Sequence, residues 1–388
     1  MRKLNIEEKS DMRKRKININ DKTIIRFITF MVLFCTYIFP LYIVDSTYVL
    51  SKLIFLITIV FSYLFFAKQL TKIDYTLIFI IMLLFIITKN YNYFTFLTLP
   101  IANIFLNYKE EITDYISNSP VIYICLICTL VYSVMFAGYD GRYAFTAIKE
   151  INQSGLAIFF LGLILLRRSK SIGIFVLVFG LLTFSRSYFL ALILMIIFRN
   201  KKFPIKLNDK IIKKLNYFVF VMLTTLFFVG LAFIYIYKYK NGEIGANDNL
   251  YKFINPFDYS NLFRFAAILY TINIFVKYPS KILFGLTKSE YDLYSSQFAA
   301  DYGVAFRETD PHNLFFSHLK MYGFMSIIET AYITKILSKI VDNANFYAYM
   351  AIVFYSLILG AGLYSYWLFL AIIVLIISSN QLLNLEKK

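Results

Sequence analysis

The chain alternates long apolar runs with short, mostly basic polar segments from Ile24 almost to its last residue. The runs are apolar on every face, and the short period-two segments of a membrane barrel are absent. The pattern predicts twelve helical spans, at 24–43, 48–66, 74–88, 92–107, 120–137, 154–166, 172–184, 187–198, 216–237, 312–334, 346–361 and 364–380. Several fall short of the roughly 20 residues of a full crossing, so short or tilted helices are expected there. The expected fold class is an all-α polytopic membrane protein, because only a helix satisfies its backbone polar groups within one segment in lipid. A basic cytoplasmic tail is expected at 1–23, transmembrane helices one to nine over 24–237, and a large extracytoplasmic loop over 238–311. Helices ten to twelve follow over 312–380, with a second cytoplasmic tail at 381–388.

One run poses a question of direction. Ile172 to Phe198 carries Arg186 in its middle, Arg167, Arg168 and Lys170 before it, and Arg199, Lys201 and Lys202 after it. A single crossing would put a guanidinium near the bilayer centre, at about 2.5–3.5 kcal/mol on insertion scales, and a basic cluster on each side. Two short helices turning at Ser185-Arg186-Ser187 keep both clusters inside and set Arg186 at the outer surface. The positive-inside tendency favours that second arrangement.

Composition agrees with lipid burial: of 388 residues, 59% are hydrophobic and 16% charged, with a mean hydropathy of +0.65. A formal net charge of +17 would suggest nucleic acid in a soluble chain. Here the excess sits in short loops between spans, with seven basic residues against Asp209 over 199–214, so no nucleic-acid partner is expected. With the N-terminus inside, loops 67–73, 108–119, 167–171, 199–215 and 335–345 face the cytoplasm. All are basic except 108–119, which sets Lys109 against Glu110, Glu111 and Asp114. No small-x-small cleavage site follows the first apolar run, which predicts an uncleaved first span. Cys35, Cys125 and Cys128 lie in apolar runs and read as small buried residues, the C-x-x-C of the last two notwithstanding.

The outer segment Lys238–Pro311 is 74 residues long and carries eight basic and eight acidic residues. Its aromatic content argues against disorder. Its amphipathic stretch Leu262–Tyr278 suits the membrane interface or the bundle surface. No internal repeat is obvious, which weakens a transporter built on inverted repeats. Apart from Lys320 and Glu329, charge within the spans is sparse.

Candidates for chemistry on the outer face are few. Asp310-Pro311 reads as N-cap and first helical residue, which sets His312 in the first turn of span ten. A helix N-terminus disfavours a charged imidazole, leaving a neutral base or a group that bonds a sugar hydroxyl. A helix-start residue that only bonds nearby backbone is the equal alternative. His318, deeper in that span, reads as structural. Arg264 suits either a substrate cation or an interfacial side chain that snorkels. Arg142 has Asp140 as a local partner, and Arg307 has Glu308 and Asp310. Arginine rather than lysine at these outer positions suits bidentate binding of phosphate oxygens. The sequence has no metal-ligand cluster, phosphate loop or nucleophile elbow, so no metal or cofactor is expected and an activated substrate must supply the energy.

Four stretches carry a family likeness. They are GRYAFTAIKEINQSGLA, with Arg142, Asn152, Gln153 and Gly155; LLTFSRSYFLALIL, with Ser185, Arg186 and Ser187; RFAAILYTINIFVKYPSKILFGL, with Arg264, Pro279 and Gly285; and HNLFFSHLKMYGFMS, with His312, Asn313 and Gly323. Together, over most of residues 138–330, they resemble the bacterial O-antigen polymerase and O-antigen ligase superfamily. Two features depart from that family: Gly285-Leu286-Thr287 stands where Gly-x-Gly is usual, and Lys320 where an acid is common.

The resemblance implies a glycosyltransferase of the bacterial cytoplasmic membrane with both termini inside. It would transfer a growing glycan from a polyprenyl diphosphate to a lipid-linked repeat on the outer face, independently of metal. Arg186 and Arg264 would stabilise the departing diphosphate and His312 would serve the acceptor hydroxyl, with Arg142, Asn313 and Arg307 as substrate contacts. The expected partners are the lipid-linked oligosaccharide, membrane lipids, a chain-length regulator and a flippase. A ligase that passes the glycan to another acceptor stays open within the family. A lipid-linked oligosaccharide flippase or other transporter stays open outside it. The Ile/Lys/Phe/Tyr/Asn bias mildly favours a capsule or exopolysaccharide polymerase.

Overall fold

The computed structural model describes residues 19–35, 47–135, 138–139, 143–144, 151–199, 216–243, 259–302, 313–342, 344–359 and 366–385. The apolar runs form helices, and the fold is all-α. In chain order these are α1 (Ile19–Leu33), α2 (Thr47–Phe66), α3 (Lys72–Thr88), α4 (Thr98–Phe105), α5 (Lys109–Asn118), α6 (Pro120–Met135), α7 (Ile151–Arg168), α8 (Lys170–Phe179) and α9 (Arg186–Arg199). Then follow α10 (Tyr217–Lys240), α11 (Tyr259–Lys277), α12 (Lys281–Phe284), α13 (Lys288–Tyr302), α14 (Leu314–Tyr322), α15 (Met325–Leu337), α16 (Phe346–Leu359) and α17 (Tyr366–Leu385). A two-residue antiparallel ladder, β1 (Gly138–Tyr139) on β2 (Tyr143–Ala144), is the sole strand pairing among the described residues.

Local signals start several helices. The Thr71 side chain accepts from the Asp74 amide while the Asp74 carboxylate accepts from the Thr71 amide, a capping box for α3. Ser169 caps α8 and Asn216 caps α10. Two helices form the centre. Leu156 to Leu165 on α7 and Trp367 to Ser378 on α17 are buried throughout, as a helix apolar on every face must be in a core. Helix α7 packs against α8, α9, α16 and α17. The outer helices turn large apolar side chains outward, with Leu64 76%, Phe79 66% and Leu226 69% exposed. Among the described residues, α10 alone is by itself long and apolar enough to cross a membrane. The segment Tyr91–Asn118 with Pro120–Tyr132, bent by 63° at its break, passes the same test as a pair.

Several expected boundaries change. The span expected at 24–43 starts earlier, at Ile19, and the residues beyond Cys35 up to 46 lie outside the described set. The span expected at 92–107 is instead a 3-10 stretch, Tyr91–Leu97, followed by the short α4, whose residues are all buried. Segment 108–119 is not a loop; most of it is helix α5. Its acids, exceptional on an inner loop, pair with α1: Arg26 bonds Glu111 and reaches Asp114 at 3.3 Å, and Lys22 lies 3.6 Å from Glu111. The cysteines are free thiols, but only Cys35 is buried; Cys125 is half-buried and Cys128 exposed. The described part of segment 238–311 is largely helical, with α11, α12 and α13.

Segments expected on one side of the bundle touch each other. Gln69 donates to Tyr108 at 2.8 Å, Lys109 to the Lys339 carbonyl at 2.9 Å, and Arg168 to the Ser119 carbonyl at 2.9 Å. Burial holds the Lys109 and Lys339 ammonium groups below the usual lysine range. At the other end the Tyr93 hydroxyl, just past α3, donates to the Phe284 carbonyl of the outer segment at 2.9 Å.

Candidate functional site

The run 172–198 does turn. Helix α8 stops at Phe179, a 3-10 turn covers Gly180–Thr183, Phe184 takes left-handed backbone (φ 46), and α9 starts at Arg186. The turn is built on close packing. A β-carbon on Gly180 would stand 2.2 Å from the Tyr188 hydroxyl, and that hydroxyl donates to the Leu177 carbonyl at 2.7 Å. Below it, Phe159 stacks on Tyr355, and Tyr188 meets both rings edge-on. Gly155 of α7 closes the cluster, since a β-carbon there would stand 2.5 Å from the Tyr355 hydroxyl. Arg186 is exposed at the first position of α9. Strand β2 packs on the Gly180–Thr183 turn. The hairpin that flanks Arg142 therefore lies at the turn that presents Arg186, though Arg142 itself lies outside the described residues.

Arg264 lies on α11 and is half-buried. The amphipathic stretch, expected at the interface or on the bundle surface, packs on the bundle, with Leu262 and all of Phe265–Thr271 buried. The Phe265 ring packs on α10 at 5.5 Å from Phe228 and 4.6 Å from Tyr235. The Tyr291 hydroxyl of α13 donates to the Ala267 carbonyl at 3.4 Å.

Helix α14 starts later than the Asp310-Pro311 signal indicated. Asn313 is the N-cap: its Oδ1 accepts from the Phe316 amide at 3.1 Å and from the Thr225 hydroxyl of α10 at 3.4 Å. An Asn side chain that caps its own helix holds the start at that point. Asn313 is 0% exposed, and its Nδ2 has no hydrogen-bond partner among the described residues. Buried amide donors thus stand at the mouth of a helix whose first amides also point there. His312 and Arg307 lie outside the described residues.

The span expected at 312–334 is two helices. Gly323 (φ 57) ends α14, and α15 begins at Met325. The Leu286 amide donates to the Lys320 carbonyl at 2.7 Å, so the outer segment satisfies part of the broken end. Lys320 is buried, with its ammonium 4.2 Å from the Tyr291 ring centre. That is cation–π geometry. At the start of α13, Glu290 caps Thr287 and bonds Lys281. Burial works to raise the Glu290 carboxyl, but the hydrogen bonds from Lys281 and Thr287 outweigh it and hold it below its ordinary value.

The break also makes a contact that sequence reasoning missed. His318 Nδ1 stands 2.5 Å from Glu329 Oε2, with both side chains buried. The available signal was Glu329 itself, a carboxylate isolated in an apolar run. Among the described residues, no group of three or more His, Cys, Asp and Glu side chains is placed to hold a metal.

Fold and site together define an all-α protein in which residues 281–291 dock on a broken helix near a buried helix start. No family model, curated protein or solved structure matches the chain.

Proposed function

We propose that the protein is a polysaccharide polymerase of the O-antigen polymerase type, set in a bacterial cytoplasmic membrane with both termini inside and the Arg186 turn outside. The observation that carries this reading is how the four family-like stretches assemble. They meet in two pairs. Strand β2 lies on the turn before Arg186. Gly285 of the third stretch abuts Gly323 of the fourth. Helix α16 packs on α9 of the first pair and α14 of the second. The outward apolar side chains and the contacts among segments 67–73, 108–119, 167–171 and 335–345 support a multi-span arrangement in lipid.

In the reaction proposed, the bond from the anomeric carbon to the diphosphate oxygen breaks, and its electron pair leaves with the diphosphate. The acceptor hydroxyl oxygen bonds the carbon and gives up its proton, with His312 as the group we assign to receive or orient it. Arg186 and Arg264 offset the charge that grows on the leaving diphosphate, with Arg142, Arg307 and Asn313 as further contacts. No metal, nucleotide or cofactor enters this scheme.

The test is reconstitution in liposomes with a lipid-diphosphate-linked repeat and no nucleotide. A product ladder spaced by one repeat is expected. Transfer only to a different acceptor would make the protein a ligase. No new glycosidic bond from folded protein with the correct repeat would overturn the enzyme reading and favour transport.

A further inference from the structure

Helices α14 and α15 are two halves of one apolar run, and His318 and Glu329 sit on opposite sides of the break. In a continuous helix two residues this far apart would be separated by about 16 Å along the axis. Here their side chains touch at 2.5 Å, and both are almost fully enclosed. Helix α15 packs on α4 and α10, and Tyr332 bonds the buried Asp74 of α3; α14 packs on α10, α11, α12 and α16. Helix α14 is the half that carries Asn313.

We infer that His318 and Glu329 are a positioning pair. They set the angle of the break, and through it the place where the Asn313 mouth of α14 stands against Thr225 and the outer segment. The inference rests on the polymerase reading for its catalytic consequence. The physical argument is directional. Apolar side chains at 318 and 329 would pack at many interhelical angles, whereas a short hydrogen bond between a ring nitrogen and a carboxylate accepts a narrow range. Around the pair, Tyr322 lies edge-on to the imidazole at 5.5 Å between ring centres, and Tyr217 of α10 lies within electrostatic reach of Glu329. Glu329 Oε1 and the Tyr217 hydroxyl are buried with no hydrogen-bond partner among the described residues. The contact to His318 runs through one carboxylate oxygen, Oε2.

The experiment uses the full-length protein in liposomes with the lipid-diphosphate-linked repeat. The variants are Glu329→Gln, which keeps an acceptor for the imidazole, the exchange His318→Glu with Glu329→His, and the double replacement His318→Leu with Glu329→Leu. The readouts are kcat and KM for the lipid-linked repeat and hydrogen exchange of residues 314–325. The double leucine variant is expected to fold, to lose about 10²-fold in kcat with KM unchanged, as a small misplacement of binding groups does, and to exchange faster over α14. Glu329→Gln or the exchanged pair should restore most of kcat and the slow exchange. Wild-type kcat and exchange in the double leucine variant would overturn the inference. So would failure of both restoring variants in folded protein. If the wild type makes no ladder, the polymerase reading fails, while the exchange data still decide whether the pair sets the break.

Discussion

Gly285 and Gly323 meet backbone to backbone. A β-carbon on Gly323 would stand 2.6 Å from the Gly285 amide nitrogen and 2.5 Å from the Ile282 carbonyl oxygen, and one on Gly285 would stand 2.6 Å from the Met321 carbonyl. Both residues also have positive φ, at 74° and 57°. Packing and backbone conformation thus demand glycine at both positions, and the contact seats the outer segment on the broken helix.

Alanine at either glycine should therefore be severe. Overpacking against backbone costs about 1–3 kcal/mol, and left-handed backbone at a residue with a side chain adds about 1–3 kcal/mol. Thermal unfolding of the purified protein should show a clear fall for Gly285→Ala and Gly323→Ala. Gly242→Ala serves as a control: its φ of 71 is also positive, but nothing lies within 4 Å of its β-carbon position. It should lose only the conformational part.

The buried pair predicts unequal stabilities. Removing one partner strands the other in an apolar interior, so His318→Ala should cost about 3–5 kcal/mol. The double leucine variant should be far milder, because replacing both partners leaves no buried charge. A double-mutant cycle by denaturant titration in detergent checks this. A milder single than double variant would contradict it.

Arg186→Ala and Arg264→Ala should each cut polymer formation about 10²–10³-fold, the cost of one lost donor to a developing anion. The melting temperature of Arg186→Ala should barely move, since that side chain is exposed at a helix start. Ladder intensity from reconstituted protein, read beside the melts, separates lost chemistry from lost fold.

Glu290 predicts an acid-side transition. Its folded carboxyl lies below the ordinary value of 4.5, so the ionised form stabilises the folded state. That contribution is present above the unfolded value and is lost as pH falls through the folded one. Hydrogen exchange over residues 287–291 should therefore quicken only well into the acid range. Glu290→Gln should abolish that pH step, and a step persisting in the variant would assign it to another group.

The Tyr188 hydroxyl anchors the turn below Arg186. Tyr188→Phe removes its bond to Leu177 and should cost about 1 kcal/mol. Gly180→Ala should cost more, because its β-carbon position overlaps the same ring.

The helical character of the apolar runs and the break just before Arg186 were legible in the order of residues. Each depends on short-range chemistry: apolar runs that cannot stay in water, a cation that cannot sit mid-run, and basic clusters at both ends of one stretch. The break at Gly323 was not legible, because the apolar pattern of LFFSHLKMYGFMSIIE runs through it unchanged. A lone glycine in a helix is tolerated; at this one the backbone is left-handed and Gly285, from another segment, lies against it. The start of α14 slipped from Asp310-Pro311 to Asn313 for a similar reason, since Thr225 of α10 holds the Asn313 side chain. Local sequence thus determined that the apolar runs are helical and where one of them breaks. Contacts between distant segments decided where a helix is cut, which acids pair with α1, and that His318 faces Glu329, because those outcomes depend on which surfaces meet once the apolar faces have been buried.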